Sequence, residues 1–220
     1  MRDKIKKHYR CPEYNIAIVV SLYHGTKSRS HLKLNEHKEN AFMNTAPDPT
    51  PQKPFIITRL LDVPRDLVFK CWTEREHMEW WGPKGVTIGH TKLDLRPGGM
   101  FHYSMQTADG PVMWGRWIIR EVVPPERLVF VNSFSDEAGG ITRHPMSASW
   151  PLEILSTITF EEQDGGQTLL TIEWLPLYPT EEERKTFDAG HDSMKAGWSG
   201  SLDGLVEYLA TIYTPKSKTQ

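Results

Sequence analysis

Between residues 55 and 174 the chain alternates apolar and polar side chains in short runs separated by turn residues, the period of half-buried β-strands. The first run, 55–62, stops at Val63-Pro64. A proline in a first helical turn followed by Leu67, Val68, Cys71 and Trp72 predicts a short helix. Thr73 with Glu76 three residues on predicts an N-cap and capping box for a second short helix reaching Trp81 and stopped by Gly82-Pro83. Six more strands are predicted at 86–95, 99–106, 112–122, 128–134, 154–162 and 168–174. Their breaks carry turn chemistry: Arg96-Pro97-Gly98, Asp109-Gly110, Pro124-Pro125-Glu126 and Asp164-Gly165-Gly166. Residues 135–151, with Gly139-Gly140 and two prolines, read as a long loop placed to gate a pocket.

The pattern then changes period. Phe187, Met194, Trp198, Leu202, Leu205 and Leu209 fall within an arc of roughly 80° on a helix, which predicts one long amphipathic helix over 180–213. Beside that arc Gly190, Gly197 and Gly204 lie seven apart and form a ridge without side chains. Each helical glycine costs about 1 kcal/mol relative to alanine. The ridge therefore implies either the close approach of another backbone or room left beside the helix. Strand, two short helices, six strands and a long helix make an α+β fold with one antiparallel sheet. A single helix laid across a curved sheet encloses a cavity.

The inward faces follow from cost. The side of 112–122 bearing Trp114 and Ile118 also bears Arg116 and Arg120, and burying two unpaired guanidiniums is prohibitive. Met113, Trp117 and Ile119 are therefore expected inside, with Glu121 on the same face near the strand end, and Trp114 outward or at the rim. Phe101, Tyr103 and Met105 face in while His102, Ser104 and Gln106 face out. Leu128, Phe130, Phe134, Ile154, Ile158, Phe160, Leu170, Ile172 and Trp174 complete the interior, which is rich in rings suited to a tight core or a pocket wall.

Composition adds little to this until it is divided along the chain. Residues 1–42 carry nine Lys/Arg against four Asp/Glu, which leaves an acidic remainder in a chain of net charge −2. An acidic body argues against nucleic acid as a partner. The basic stretch, followed by the proline-rich 43–54, is expected to be a tail and linker outside the folded unit, with Met43 as the natural start. The folded domain is expected over 55–212, with a C-terminal tail at 213–220. Cys11 lies in the tail and Cys71 in the predicted first helix, so a structural disulfide is not expected and a reducing compartment fits. The apolar run at 16–23 is too short to span a bilayer and lacks a cleavage site, so a cytoplasmic protein without a membrane partner is expected.

A search for chemistry returns little. His77, His90, His102, His144 and His191 are scattered without metal-ligand spacing, and no nucleophile elbow or phosphate-binding loop is present. Asp188, His191 and Asp192 bunch at one point of the long helix, where acidic residues suit a helix dipole. Asp94 and Glu121 are the carboxylates placed to approach the pocket as a base, or else to pair with Arg96, Arg120 or Arg127. No catalytic residue, metal or cofactor is assigned.

Four motifs occur in order: Trp72-Thr73 with His77 and Trp81-Gly82-Pro83; Asp94-Leu95-Arg96-Pro97-Gly98-Gly99 with Phe101; Val123-Pro124-Pro125-Glu126-Arg127-Leu128-Val129-Phe130; and Met194 with Gly197-Trp198 before Leu202 and Leu205. Together they resemble the homologues of the Hsp-90 ATPase activator C-terminal domain, in the START and Bet v I-like (SRPBCC) superfamily. The resemblance spans about 55–211 and implies a helix-grip fold, with a curved antiparallel sheet around a long C-terminal helix and a hydrophobic cavity between them. Its motifs are architectural, so it transfers no catalytic residue.

The expected function is binding of a small hydrophobic molecule, aromatic or lipid-like. The site expected for it comprises Trp81, Phe101, Tyr103, Met105, Trp117, Phe134, Trp174, Met194, Gly197 and Trp198. A cofactor-free cyclase or isomerase using Glu121 or Asp94 is the enzyme alternative. A module acting on the Hsp-90 chaperone is the third reading. It ranks last because a tail and linker stand where co-chaperone members carry a separate, larger N-terminal domain.

Overall fold

A computed structural model describes residues 52–81 and 85–214, together with the backbone of two short strands, β1 (His8–Arg10) and β2 (Ala17–Val19). The chain divides into two units, Met1–Asp48 and Pro49–Gln220. In the first unit β1 and β2 pair antiparallel, with His8 opposite Val19. The expectations for the rest of the tail, most of the linker, the Gly82-Pro83 stop and the last six residues lie outside the described residues.

In the second unit β3 (Phe55–Leu61), β4 (Val86–Leu93), β5 (Met100–Thr107), β6 (Met113–Val123), β7 (Arg127–Ser135), β8 (Ile154–Gln163) and β9 (Gln167–Pro176) form one antiparallel sheet, ordered β3-β9-β8-β7-β6-β5-β4. Each strand ends within two residues of its predicted boundary. The sheet curls into a half-barrel around the C-terminal helix, the helix-grip arrangement. Register shifts between Ile88 and Thr91 in β4, and between Ile119 and Glu121 in β6, mark bulges. Bulges bend a strand and sharpen its twist.

Helix α1 (Arg65–Thr73) buries Val68, Phe69, Cys71 and Trp72 against the sheet. The Phe69 ring meets Phe160 edge-on at 5.3 Å, and Trp72 stacks on Trp198 at 6.0 Å. A 3₁₀ helix (Arg75–Trp80) follows, and the Trp80 indole N–H donates to the Cys71 carbonyl at 2.9 Å. Burial pushes the Cys71 thiol up to about 12, so it stays an uncharged core group. The capping box expected at Thr73 does not form. Thr73 is the last residue of α1, and its hydroxyl donates back to the Phe69 carbonyl at 2.8 Å. Glu74 occupies the N-cap of the 3₁₀ helix without a side-chain bond.

The predicted single helix over 180–213 is two helices, α2 (Glu181–Ala189) and α3 (His191–Ile212). They break at Gly190, whose N–H is shared between the Thr186 and Phe187 carbonyls at 3.1 and 3.0 Å. A capping box not anticipated from the sequence opens α2: the Thr180 hydroxyl accepts from the Glu183 N–H, and the Glu183 carboxylate accepts from the Thr180 N–H. Helix α3, about 33 Å long at 1.5 Å per residue, seats Leu202, Leu205 and Leu209 in the core. No helix among the described residues is long and apolar enough to cross a membrane.

The outer face of β5 is not bare to solvent as alternation suggests, since His102 and Ser104 are buried. The His102 ring stacks on Trp114 at 5.0 Å and shares a hydrogen bond with the Asp136 carbonyl. Arg116 donates to the Gly139 carbonyl at 2.8 Å. The start of the loop after β7 thus lies over the convex side of the sheet, and Trp114 does face outward.

Candidate functional site

The half-barrel is filled at one end only. Toward the end holding Phe101, Ile119, Phe160 and Leu170, the rings of α1 and the leucines of α3 pack without interruption. Toward the other end a partly open cavity of about 390 Å³ remains between sheet and helix. Its sheet wall is Tyr103 and Met105 of β5, Gly115 and Trp117 of β6, and Phe130, Asn132, Ser133 and Phe134 of β7, with Trp174 of β9. Helix α3 contributes Met194, Gly197, Trp198 and Ser201; Trp80 and Trp81 close one side, and His144 and Trp150 of the 136–153 loop close another.

The glycine ridge has three different local causes. At Gly190 an added Cβ would sit 3.2 Å from the Trp150 ring, so the missing side chain admits that ring. At Gly204 it would lie 3.4 Å from the Trp80 carbonyl oxygen, a close backbone approach. At Gly197 it would meet nothing within 4 Å, and this exposed residue borders the cavity. Gly115 works on the opposite wall, where a Cβ would overlap the Tyr103 hydroxyl at 2.5 Å.

Nine of the ten residues expected at the site stand on this wall: Trp81, Tyr103, Met105, Trp117, Phe134, Trp174, Met194, Gly197 and Trp198. Phe101 does not. It is 1% exposed, stacked on Tyr103 at 5.0 Å and met edge-on by Trp117 at 4.8 Å, in the filled end of the barrel. The polar members Asn132, Ser133, His144 and Ser201, and the rings Trp80, Phe130 and Trp150, were not foreseen. Asn132 was within reach of sequence reasoning, because it shares the inward register of Leu128, Phe130 and Phe134. The positions of His144 and Trp150 were not, since loops carry no periodicity.

Among the described residues no Lys, Arg, Asp or Glu lines the cavity. Burial raises the Tyr103 hydroxyl far above its ordinary value, outweighing the opposing influence of the nearby Trp117 indole, so it stays protonated. Burial likewise lowers the His144 pKa, its largest cause outweighing a backbone hydrogen bond, so the ring is neutral at pH 7. Its Nδ1 accepts from the Met146 N–H at 3.0 Å, and its ring meets Phe134 edge-on at 4.5 Å.

The two carboxylates considered as bases are turned elsewhere. The bulge after Ile119 rotates Glu121 away from the interior and brings in Val122, which packs on the core. Glu121 accepts from Arg127 Nε at 2.9 Å, and Asp94 pairs with Arg96 at 3.0 Å, both part-exposed. Asp188 pairs with Arg184, while His191 packs edge-on against Phe55 and Phe187. Among the described residues no three His, Cys, Asp or Glu side chains are grouped to hold a metal ion.

Two bonds latch the cavity loop to α2. Arg143 forms an ion pair with the buried Glu183, and Thr186 Oγ1 donates to Ser149 Oγ at 3.0 Å. Burial alone would raise the Glu183 pKa, but hydrogen bonds from Arg143 and from the Thr180 N–H, with the Arg143 charge, hold it below the usual carboxylate range. A depressed carboxylate pKa adds stability that is complete above the unfolded value and lost as pH falls through the folded one. Glu183→Gln is therefore expected to cost about 1–2 kcal/mol at neutral pH. It is also expected to shrink the fall in stability between about pH 5 and pH 3, measured by urea unfolding. A variant as acid-sensitive as the parent would refute the latch.

The family model for "Activator of Hsp90 ATPase homolog 1-like protein" matches residues 62–210. Solved structures share the fold. One is a Mycobacterium smegmatis protein, 24% identical with a TM-score of 0.59, the match covering 74% of this chain and 94% of that one. Another is a Nitrosomonas europaea protein, 25% identical with a TM-score of 0.58, covering 73% and 96%. A third is the AHSA1 protein of Silicibacter pomeroyi, 19% identical with a TM-score of 0.57, covering 73% and 100%. No curated protein matches the chain. With its matching segment spanning strand, helix and cavity wall alike, the chain belongs to the family of activator of Hsp90 ATPase homolog 1-like proteins.

Proposed function

We propose that this protein binds a small, largely apolar molecule, aromatic or lipid-like, between the β5–β7 wall and α3. The supporting observation is the open space beside Gly197 in an otherwise well-packed barrel. A cavity of this size suits a ligand of a few fused or linked rings. The wall supplies large apolar area from rigid rings, which lose little entropy when a ligand settles on them. A helical glycine that touches nothing weakens α3 without improving its packing, and a ligand compensates for that loss.

The cyclase alternative loses its expected bases, because Glu121 and Asp94 are both engaged in ion pairs away from the cavity. Action on a chaperone ATPase rests on the family's name, whereas the cavity is a property of this molecule and carries the first reading. Native mass spectrometry of the freshly purified full chain is expected to show a retained small molecule, lost on partial unfolding. A single species at the bare sequence mass, together with failure to take up any apolar probe, would defeat the proposal.

A further inference from the structure

We propose, building on the ligand-binding reading above, that the cavity selects an uncharged, flat aromatic molecule bearing a hydrogen-bond-accepting oxygen, in preference to alkyl chains and carboxylates. The first ground is charge. With no basic side chain among the described residues of the wall, a carboxylate entering the cavity loses its hydration and finds no counter-charge there. The second is shape. Trp117 and Phe130 stack at 4.1 Å with 18° between their planes, and Trp174 meets Trp198 edge-on at 5.4 Å. Such walls offer ring faces and edges, which match a flat ring better than a flexible chain.

The third ground is a wall donor without an acceptor. Because His144 Nδ1 accepts from Met146, the neutral ring carries its proton on Nε2, as a donor with no acceptor among the described residues. The Tyr103 hydroxyl, kept protonated by burial, is a second donor on the same wall. Two other wall groups have donors already committed: Asn132 Nδ2 donates to Ser156 Oγ at 2.7 Å, and the Ser201 hydroxyl donates to the Gly197 carbonyl at 3.2 Å. A buried donor without a partner is costly, and the missing complement is oxygen acceptors. A ligand carbonyl or ether oxygen supplies them; a hydrocarbon does not.

The test uses the full chain and four probes: 2-acetylnaphthalene, the near-isosteric hydrocarbon 2-isopropylnaphthalene, 2-naphthoate and decanoate, each titrated calorimetrically. The ketone is expected to bind about tenfold more tightly than the hydrocarbon, the worth of one well-made hydrogen bond, although water expels the hydrocarbon more strongly. Both acids are expected to bind more weakly than the ketone. His144→Phe keeps a ring against Phe134 while removing the Nε2 donor, and is expected to lower the ketone-to-hydrocarbon preference. A hydrocarbon or an acid that equals or exceeds the ketone overturns the selectivity while leaving a binding cavity standing. An unchanged preference in His144→Phe overturns the donor assignment. Failure of all four probes to bind overturns the selectivity and the binding reading together.

Discussion

Gly197→Leu is expected to abolish uptake of small apolar molecules while the protein still folds. A Cβ at this position meets nothing within 4 Å and the residue borders the cavity, so the leucine branch has room to reach into it. Replacing a glycine inside α3 also removes a helix penalty of about 1 kcal/mol, which offsets strain elsewhere in the substitution. Two measurements check this: a thermal melt no lower than that of the parent by more than a few degrees, and loss of binding of an apolar fluorescent dye. Dye bound at parental affinity by the folded variant would place the ligand somewhere other than beside α3.

Trp72→Ala is expected to produce the largest loss of stability. Trp72 is fully buried, touches Trp80 at 5.2 Å and Phe160 at 6.3 Å, and stacks on Trp198 of α3. Its removal empties the junction of α1, sheet and α3, where the backbone of three elements prevents collapse. Large aromatic-to-alanine changes of this kind cost about 3–5 kcal/mol. For a domain of this size that lowers the melting temperature by on the order of 10 °C. Denaturant unfolding showing a loss below about 1 kcal/mol would mean that α1 is not seated as described.

Most of the architecture was legible because strand alternation and helical period are both set by burial. The inward choice of Trp117 came from the cost of burying Arg116 and Arg120, and the ring is 3% exposed. Two failures are instructive. Thr73 and Thr180 each stand three residues before a glutamate, and only the second forms a capping box. The difference is that the Thr73 hydroxyl is already spent on the carbonyl of its own helix, a fact of the preceding turn and not of the four-residue pattern. Glu121 was placed with Ile119 by strict alternation, but the bulge adds a residue and exchanges it with Val122. A bulge is a backbone event with no side-chain signature here.

For the site, the residues were legible and the dividing line was not. Phe101 and Tyr103 lie two apart on one face of one strand, yet the first is core and the second borders the cavity. What separates them is how far the rings of α1 reach along the barrel, a tertiary matter. The helix held a clue: the bulky Leu202, Leu205 and Leu209 occupy one stretch, while Gly197 and Ser201 occupy the stretch before it.

The interruption at Gly190 has a mechanical consequence. Leucines clamp α3 to the sheet, whereas α2 holds the cavity loop through Arg143–Glu183 and Ser149–Thr186. Force applied to the loop passes into the short rod and meets a joint before it reaches the long one. The doorway and the keel of the molecule are thereby decoupled, so the entrance can yield while the leucine seam stays shut.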